Sequence, residues 1–173
     1  MVLALFIART APATAQDTLH VWYAGPEGGV HQALKLAESL QIVADPTQAE
    51  VFVLNGTIPN PASIATRVRE GAGLVLVLGP DLTAEEVEAL LGVKVRLERR
   101  DNQLSLTPAK RMRDPVLAEV VWTSAPQVRE RLALASPASD LIPLVLGFED
   151  ASLILGMRKV GEGQAYVFTP FLD

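Results

Sequence analysis

The chain has no cysteine among its 173 residues. This absence excludes disulfide bonds, thiolate metal sites and a cysteine nucleophile. Histidine is nearly as scarce, because His20 and His31 are the only two in the sequence. Neither has a carboxylate neighbour or a spacing such as His-Glu-x-x-His, which would indicate a metal or catalytic site. We therefore predict no catalytic histidine, no metal site and no cofactor.

An excess of positive charge is also lacking. The formal net charge is −5 and the sequence pI is about 5.1, whereas nucleic acids and anionic membrane surfaces require a basic patch. Basic residues do cluster at Arg96–Arg100 and Lys110–Arg113, but acidic residues are interspersed, which favours a solvated surface. We predict no nucleic-acid partner, and whether the partner is a protein or a small molecule stays open.

Two common catalytic motifs are absent. No serine lies in a Gly-x-Ser-x-Gly elbow, which argues against a serine hydrolase. The loop Gly25-Pro-Glu-Gly-Gly29 precedes a predicted helix but lacks the Lys-Ser/Thr of a phosphate-binding loop. Glu27 would also repel a phosphate, so the sequence predicts an ordinary turn here.

Residues 1–16 differ from the rest of the chain. An apolar run, Val2–Ala8, is followed by small alternating residues at Ala11–Gln16, as in a signal-peptidase site. The run is far shorter than the roughly 20 residues that span a bilayer, so it resembles either a truncated signal peptide or the end of a membrane helix. Both interpretations predict an extracytoplasmic domain, with possible anchoring in a membrane outside this segment. Residues 17–173, with enough apolar residues for a full core, are predicted to form one globular domain.

The segment Leu74–Leu78 is the centre of the predicted fold. Its five consecutive apolar residues have no polar face and are too few for a helix, so they predict a strand covered on both sides. Gly79 and Pro80 end this strand. The carboxyl end of such a central strand is where open α/β folds place their ligands.

The remaining patterns fill in the sheet around this strand. Residues 19–92 alternate strand and helix three times, and Thr83 with Glu86 forms a predicted capping box at the start of the third helix. After Gly92 the pattern changes to strands, with one hairpin turning at Asp101-Asn102 and another joining Ser152–Met157 to Gln164–Thr169. We therefore predict an α/β fold, a flavodoxin-like three-layer sandwich whose mostly parallel central sheet is extended by antiparallel strands.

Three stretches carry a resemblance to a known family: Ala49–Gly56, Arg69–Gly79 and Gly161–Thr169. Together they resemble the class I glutamine amidotransferase-like superfamily, and more narrowly its catalytically silent domains in bacterial cell-envelope proteins. The resemblance covers about residues 19–173. It implies the same fold and a final helix after Asp173, so the chain would lack its C-terminal helix.

The resemblance also locates the catalytic positions of that superfamily. Active members carry a cysteine on the turn after the central strand and a Phe-His-Pro-Glu run near the C-terminus. Here the turn is Gly79-Pro80, and the run is Phe168-Thr169-Pro170-Phe171. Since the cysteine, histidine and glutamate are all replaced, we predict no catalytic residues, and the family's activity does not carry over.

Residues at the predicted carboxyl edge of the sheet form a candidate ligand-binding cleft: Gly25, Asn55, Gly56, Gly79, Asp81 and Thr169. The leading hypothesis is a non-catalytic interaction or ligand-sensing module of a cell-envelope protein. The alternative is a carboxylate-dependent hydrolase or isomerase of the trehalose-utilisation-like branch, with Asp81, Asn55 and Thr169 as its constellation. That alternative requires the three side chains to converge.

Overall fold

A computed structural model describes residues 18–109, 117, 127–135 and 140–172. Within these residues the strands are β1 (Leu19–Ala24), β2 (Leu40–Ile42), β3 (Val51–Asn55), β4 (Gly73–Val77), β5 (Arg96–Pro108), β6 (Gln127–Ala135), β7 (Ile142–Gly147), β8 (Leu153–Val160) and β9 (Gly163–Phe168). The helices are α1 (Gly29–Leu36), α2 (Pro61–Arg69) and α3 (Ala84–Leu91), with a 3-10 turn at Pro46–Gln48.

The strands form one mixed sheet in the order β2-β1-β3-β4-β9-β8-β7-β5-β6. The first five strands of this order pair in parallel, and the pairs from β9 to β6 are antiparallel. Strand β9 therefore joins the two halves, although it comes last in the chain. Its parallel pairing with β4 brings the C-terminal segment beside the loops that follow β3 and β4.

The parallel half is buried on both faces because side chains alternate along each strand. On one face, Phe52 and Leu76 pack in a cluster that includes the apolar sides of α2 and α3. On the other, Val53 and Val75 pack against α1. The predicted central strand is therefore confirmed, since β4 is almost fully buried and lies between two parallel neighbours.

Helix α3 begins as the sequence predicted. The hydroxyl of Thr83 accepts a hydrogen bond from the Glu86 N–H at 3.3 Å, and the Glu86 carboxylate accepts one from the Thr83 N–H at 2.9 Å. The Thr83 N–H and the Thr83 hydroxyl both donate to the Glu86 carboxylate, and these bonds hold the pKa of Glu86 below its ordinary value. The helix ends at Gly92 in the left-handed conformation.

The prediction of a flavodoxin-like three-layer sandwich is wrong. That fold needs a crossover helix after nearly every strand, whereas the described chain after α3 returns through antiparallel strands. The result is a nine-stranded mixed sheet, and the helices α1, α2 and α3 all precede β5. The sheet is also not mostly parallel, because antiparallel pairs make up its second half.

Two local predictions for the second half have different outcomes. The hairpin of β8 and β9 is confirmed, with antiparallel pairs from Leu155–Phe168 to Val160–Gly163. The predicted turn at Asp101-Asn102 is wrong, because β5 runs straight through it and its register with β6 shifts between Asp101 and Leu104. Turn-forming residues therefore occupy an irregularity inside one long strand.

Some predictions concern residues outside the described part of the chain. These are the segment 1–16, the basic cluster Lys110–Arg113 and the chain beyond Leu172. The basic residues of the first cluster are described, and they form ion pairs: Arg96 and Arg100 with Glu98, and Arg99 with Glu130. These contacts agree with a solvated, charge-balanced surface.

Candidate functional site

A cleft of about 380 Å³ opens at the carboxyl edge of the parallel strands. The loops after β1, β3 and β4 and the segment after β9 form its walls. Its lining residues are Gly25, Pro26, Asn55, Gly56, Thr57, Leu78, Gly79, Pro80, Asp81, Phe171 and Leu172. The volume lies at the lower end of the roughly 300–1,000 Å³ found for small-molecule sites.

Two glycines let the loops after β3 and β4 touch at the base of this cleft. The Gly56 N–H donates to the Val77 carbonyl at 3.0 Å, which extends the ladder between β3 and β4. A Cβ atom on Gly79 would lie 2.4 Å from the Gly56 Cα, a distance that no real side chain can tolerate. Glycine at position 79 is therefore required by the contact between the two loops.

The loop after β1 is held by a hydrogen bond of Tyr23. Its hydroxyl donates to the Pro26 carbonyl at 2.7 Å, and its ring stacks on His31 with a centroid separation of 4.9 Å. A Cβ atom on Gly25 would lie 2.7 Å from the Asn55 carbonyl oxygen and 2.8 Å from the Tyr23 hydroxyl. The glycine thus allows this loop to pack directly on the end of β3.

Asn55 is the buried polar side chain of the cleft, with 2% of its surface exposed. Its Nδ2 has two long contacts, 3.5 Å to the Tyr23 hydroxyl and 3.4 Å to the Leu172 carbonyl. A carbonyl can only accept, and the Tyr23 hydroxyl has already given its proton to Pro26, so both groups must accept from Asn55. These neighbours therefore orient the amide with its NH₂ group toward them, and its Oδ1 accepts no hydrogen bond from the described residues.

Asp81 supplies the charge of the cleft. It is the one ionisable side chain among the described lining residues, its side chain is exposed, and no hydrogen bond or ion pair engages it within the part of the chain that the structure describes. The Asp81 carboxylate and the Asn55 Oδ1 can only accept hydrogen bonds, whereas the exposed Thr57 hydroxyl, which also lines the cleft, can donate or accept.

Five of the six predicted cleft residues lie together: Gly25, Asn55, Gly56, Gly79 and Asp81. Thr169 does not line the cleft. It is completely buried, and its hydroxyl donates to the Leu153 carbonyl at 2.9 Å on neighbouring β8. The three-residue constellation of the hydrolase alternative is therefore reduced to Asp81 and Asn55.

The sequence analysis missed the apolar wall made by Phe171 and Leu172. Strand β6 holds this segment, because the Leu132 N–H donates to the Thr169 carbonyl at 3.1 Å and the Phe171 N–H donates to the Glu130 carbonyl at 3.2 Å. The Arg99 guanidinium lies 5.8 Å from the centre of the Phe171 ring. Phe171 and Leu172 could have been predicted from their place in the sequence. They directly follow β9, and the residues after β9 lie at the same sheet edge as those after β4.

The two histidines lie away from the cleft lining. His20 Nδ1 is 3.6 Å from the Glu50 carboxylate on the surface, and His31 packs on Tyr23 as described above. Within the described ranges, no three His, Cys, Asp or Glu side chains are close enough together to hold a metal ion.

Comparisons with known proteins show similarity at the level of the fold. No family model matches the chain, and no curated protein matches it. Among solved structures, Cytoplasmic Protein STM1381 from Salmonella typhimurium LT2 is similar with a TM-score of 0.67 and 12% identity, covering 90% of this chain and 89% of that one. Cytoplasmic Protein STM3548 from Salmonella typhimurium has a TM-score of 0.66 and 15% identity, covering 88% of this chain and 87% of that one.

A longer enzyme contains a similar region. Exo-beta-1,4-mannosidase Op5Man5 from Opitutaceae bacterium strain TAV5 has a TM-score of 0.59 and 15% identity, covering 88% of this chain but 31% of the mannosidase. The likeness therefore concerns one part of that enzyme. At such identities, these three neighbours establish a shared fold and no shared activity.

The predicted extracytoplasmic localisation is contradicted by these neighbours. Both Salmonella proteins that match over nearly their full length are named as cytoplasmic, which points away from export, so the prediction from residues 1–16 is corrected. In the part of the chain that the structure describes, no helix is both long and apolar enough to cross a membrane.

Proposed function

We propose that this chain is a non-catalytic, amidotransferase-like domain that binds a small molecule in the cleft at the carboxyl edge of its parallel strands. The observation that carries the proposal is the convergence of Gly25, Asn55, Gly56, Gly79 and Asp81 on that cleft. Close glycine contacts give the cleft a fixed base, and the buried amide of Asn55 is the kind of placed polar group that ligand sites use.

The chemistry of the lining favours binding over turnover. Nucleophilic catalysis needs a nucleophile with a base within hydrogen-bond reach, and glycoside hydrolysis ordinarily uses two carboxylates. The described lining offers one carboxylate, Asp81, beside a carboxamide. The hydrolase or isomerase alternative gains no support from Thr169, whose hydroxyl is engaged by backbone on β8.

The test is a thermal-shift screen against sugars, nucleotides and amino acids, with binding sites mapped by amide chemical shifts. We expect a binding ligand to raise the melting temperature and to move the signals of Asn55, Gly56 and Gly79. Thr57→Trp should abolish the effect, because Thr57 is exposed at the cleft and a bulky side chain there fills it. Thr66→Trp, at an exposed position on α2, is the matched control and should leave binding intact.

Two results would contradict the proposal. If no compound shifts the melting temperature or the cleft signals, or if Thr57→Trp and Thr66→Trp behave alike, the cleft is not a binding site. If the purified protein turns over glutamine, esters, amides or glycosides above an Asp81→Asn control, the domain is catalytic and the enzyme alternative replaces the proposal.

A further inference from the structure

We infer that the cleft selects a small amphiphilic amine, with its ammonium group at Asp81 and Asn55 and its apolar body against Phe171 and Leu172. This inference rests on the proposed function and adds the chemical class of the ligand. It follows from the polarity of the groups that line the cleft and from how they are already engaged.

Every open polar side-chain group of the described lining can accept a hydrogen bond, and the Thr57 hydroxyl can also donate one. Asp81 carries a negative charge and has no partner among the described residues. The Asn55 amide has its NH₂ fixed toward the Tyr23 hydroxyl and the Leu172 carbonyl, so its Oδ1 remains without a donor. A ligand that supplies N–H donors can therefore bond to both the Asp81 carboxylate and the Asn55 Oδ1.

Charge excludes the opposite class of ligand. No lysine, arginine or histidine lies among the described lining residues, and the Arg99 guanidinium beside Phe171 is paired with the Glu130 carboxylate at 3.2 Å. A phosphate or carboxylate would meet the Asp81 charge with no compensating cation. An ammonium group carries three donors and one positive charge, and therefore complements both acceptors.

Apart from Thr57, the remaining side chains of the lining are apolar. Pro26 and Pro80 lie on the loops after β1 and β4, and Phe171 and Leu172 form the wall after β9. A cavity of about 380 Å³ accommodates a compact apolar body beside the charged head. The geometry thus matches an amine with one ring or a short branched chain better than an extended polyamine.

Three compounds with the same apolar ring but different head groups test the charge preference of the cleft. Cyclohexylamine, cyclohexanol and cyclohexanecarboxylate share one ring and differ in the head group, so each is titrated into the full chain while the amide signals of Gly56 and Gly79 are followed. We expect cyclohexylamine to bind at the millimolar level, cyclohexanol to bind about fivefold more weakly, on the scale of an exposed ion pair, and the carboxylate not to bind. High salt should reduce the preference for the amine.

The variant that tests the inference is Asp81→Asn, which changes an exposed side chain and should not disturb folding. It should remove the preference of the cleft for cyclohexylamine over cyclohexanol. Glu85→Gln is the matched control, because it removes the same charge from an exposed residue of α3 outside the lining, and it should preserve that preference.

The outcomes also distinguish this inference from the proposed function. Equal binding of the carboxylate, an amine preference that survives Asp81→Asn, or no movement of the cleft signals at the solubility limit of all three compounds would each overturn the inference. If a compound from the broader screen still moves the Gly56 and Gly79 signals, binding in the cleft stands with a different ligand class. If neither experiment moves them, both proposals fall.

Discussion

The Arg131 guanidinium donates from Nη2 to Oδ2 of Asp150 at 2.8 Å, although the Arg131 side chain is 1% exposed and that of Asp150 is 38% exposed. The same guanidinium donates from Nη1 to the side chain of Asn102 at 2.9 Å. One buried side chain of β6 thereby connects the irregularity in β5 to the turn between β7 and β8. The neighbouring residues Glu130 and Leu132 hold the segment that carries Phe171.

Removing the two partners of this pair should have unequal effects on stability. Asp150→Ala leaves the buried Arg131 charge without its carboxylate, and we expect a loss of about 3 kcal/mol in the free energy of unfolding. Arg131→Met replaces the charge by an apolar side chain and leaves Asp150 with solvent and its bond from the Ser152 N–H, so the loss should be below about 1.5 kcal/mol.

Urea denaturation of both single variants and of the double variant measures their free energies of unfolding. In the Arg131→Met background, Asp150→Ala should cost little, because the uncompensated charge is gone. Equal losses for the two single variants, or simple additivity in the double variant, would show that the pair is not coupled as the contact suggests.

The same carboxylate contributes to acid sensitivity. Burial alone would raise the pKa of Asp150, but hydrogen bonds from Ser152 and the charges of Arg131 and Arg100 outweigh it and hold the pKa below its ordinary value. A carboxylate with a lowered pKa in the folded state stabilises the protein above its unfolded pKa, about 3.9 for aspartate, and this contribution is lost as the pH falls through the folded pKa.

Asp150→Asn should therefore reduce the loss of stability between pH 6 and pH 3. Urea denaturation at both values provides the measurement, and Asp101→Asn, at an exposed surface ion pair with Arg129, is the control that should follow the unmodified protein. If Asp150→Asn loses as much stability on acidification as the control, the Asp150 carboxylate does not contribute to the loss of stability between pH 6 and pH 3.

The parallel half of the sheet could be predicted because its signals are local. The apolar run at β4, the capping box of Thr83 with Glu86 and the glycine after α3 each depend on neighbours a few residues apart. The antiparallel half depends on distant pairing. Asp101 and Asn102 have strong turn preferences, yet β6 pairs across them and keeps β5 extended, a tertiary effect that local propensity cannot reveal.

The residues of the cleft also fall into those set by local sequence and those set by distant strand pairing. Strand ends followed by glycine located Gly25, Asn55, Gly56, Gly79 and Asp81, because the carboxyl ends of parallel strands share one edge. Phe171 lies at the cleft because β6 bonds to the backbone around it, and Thr169 is drawn away by the Leu153 carbonyl. The first outcome depends on where β6 lies, which was not predicted from the sequence, and the second on a side-chain bond across the β8–β9 pair, whose pairing was predicted but not this contact.

The contact between Gly79 and Gly56 gives a prediction about steric fit. Gly79→Ala places a Cβ atom 2.4 Å from the Gly56 Cα, so the loops after β3 and β4 must separate, and we expect a loss of about 2 kcal/mol or more. Gly92→Ala is the contrast, since that position has open space around it but a φ of +69°, and it should cost about 1 kcal/mol from backbone strain alone.

Thermal and urea denaturation of these two variants compare a steric clash with backbone strain. Gly92→Asn should recover part of the loss, because asparagine tolerates the left-handed conformation, whereas Gly79→Asn should not. A Gly79→Ala variant as stable as the unmodified protein would mean that the two loops are not in close contact.

Tyr23 should control the ligand preference of the cleft through Asn55. Tyr23→Phe keeps the ring that stacks on His31 but removes the hydroxyl that donates to Pro26 and accepts from Asn55. We expect a stability loss of about 1 kcal/mol, the usual contribution of one hydrogen bond. More specifically, the Asn55 amide then has only the Leu172 carbonyl to fix its orientation, and it can turn its NH₂ group into the cleft.

An amide that rotates presents a donor as well as an acceptor to the ligand. In Tyr23→Phe, the affinity for cyclohexylamine should fall about threefold, within the range of one lost hydrogen bond, and discrimination against cyclohexanecarboxylate should weaken. Titrations followed at the Asn55 side-chain NH₂ signals measure both effects, and Asp81→Asn in the same background should remove the remaining preference for the amine. Tyr23→Phe could lower stability but leave the affinity ratios among cyclohexylamine, cyclohexanol and cyclohexanecarboxylate unchanged. In that case Tyr23 only supports the loop after β1 and does not orient Asn55 for binding.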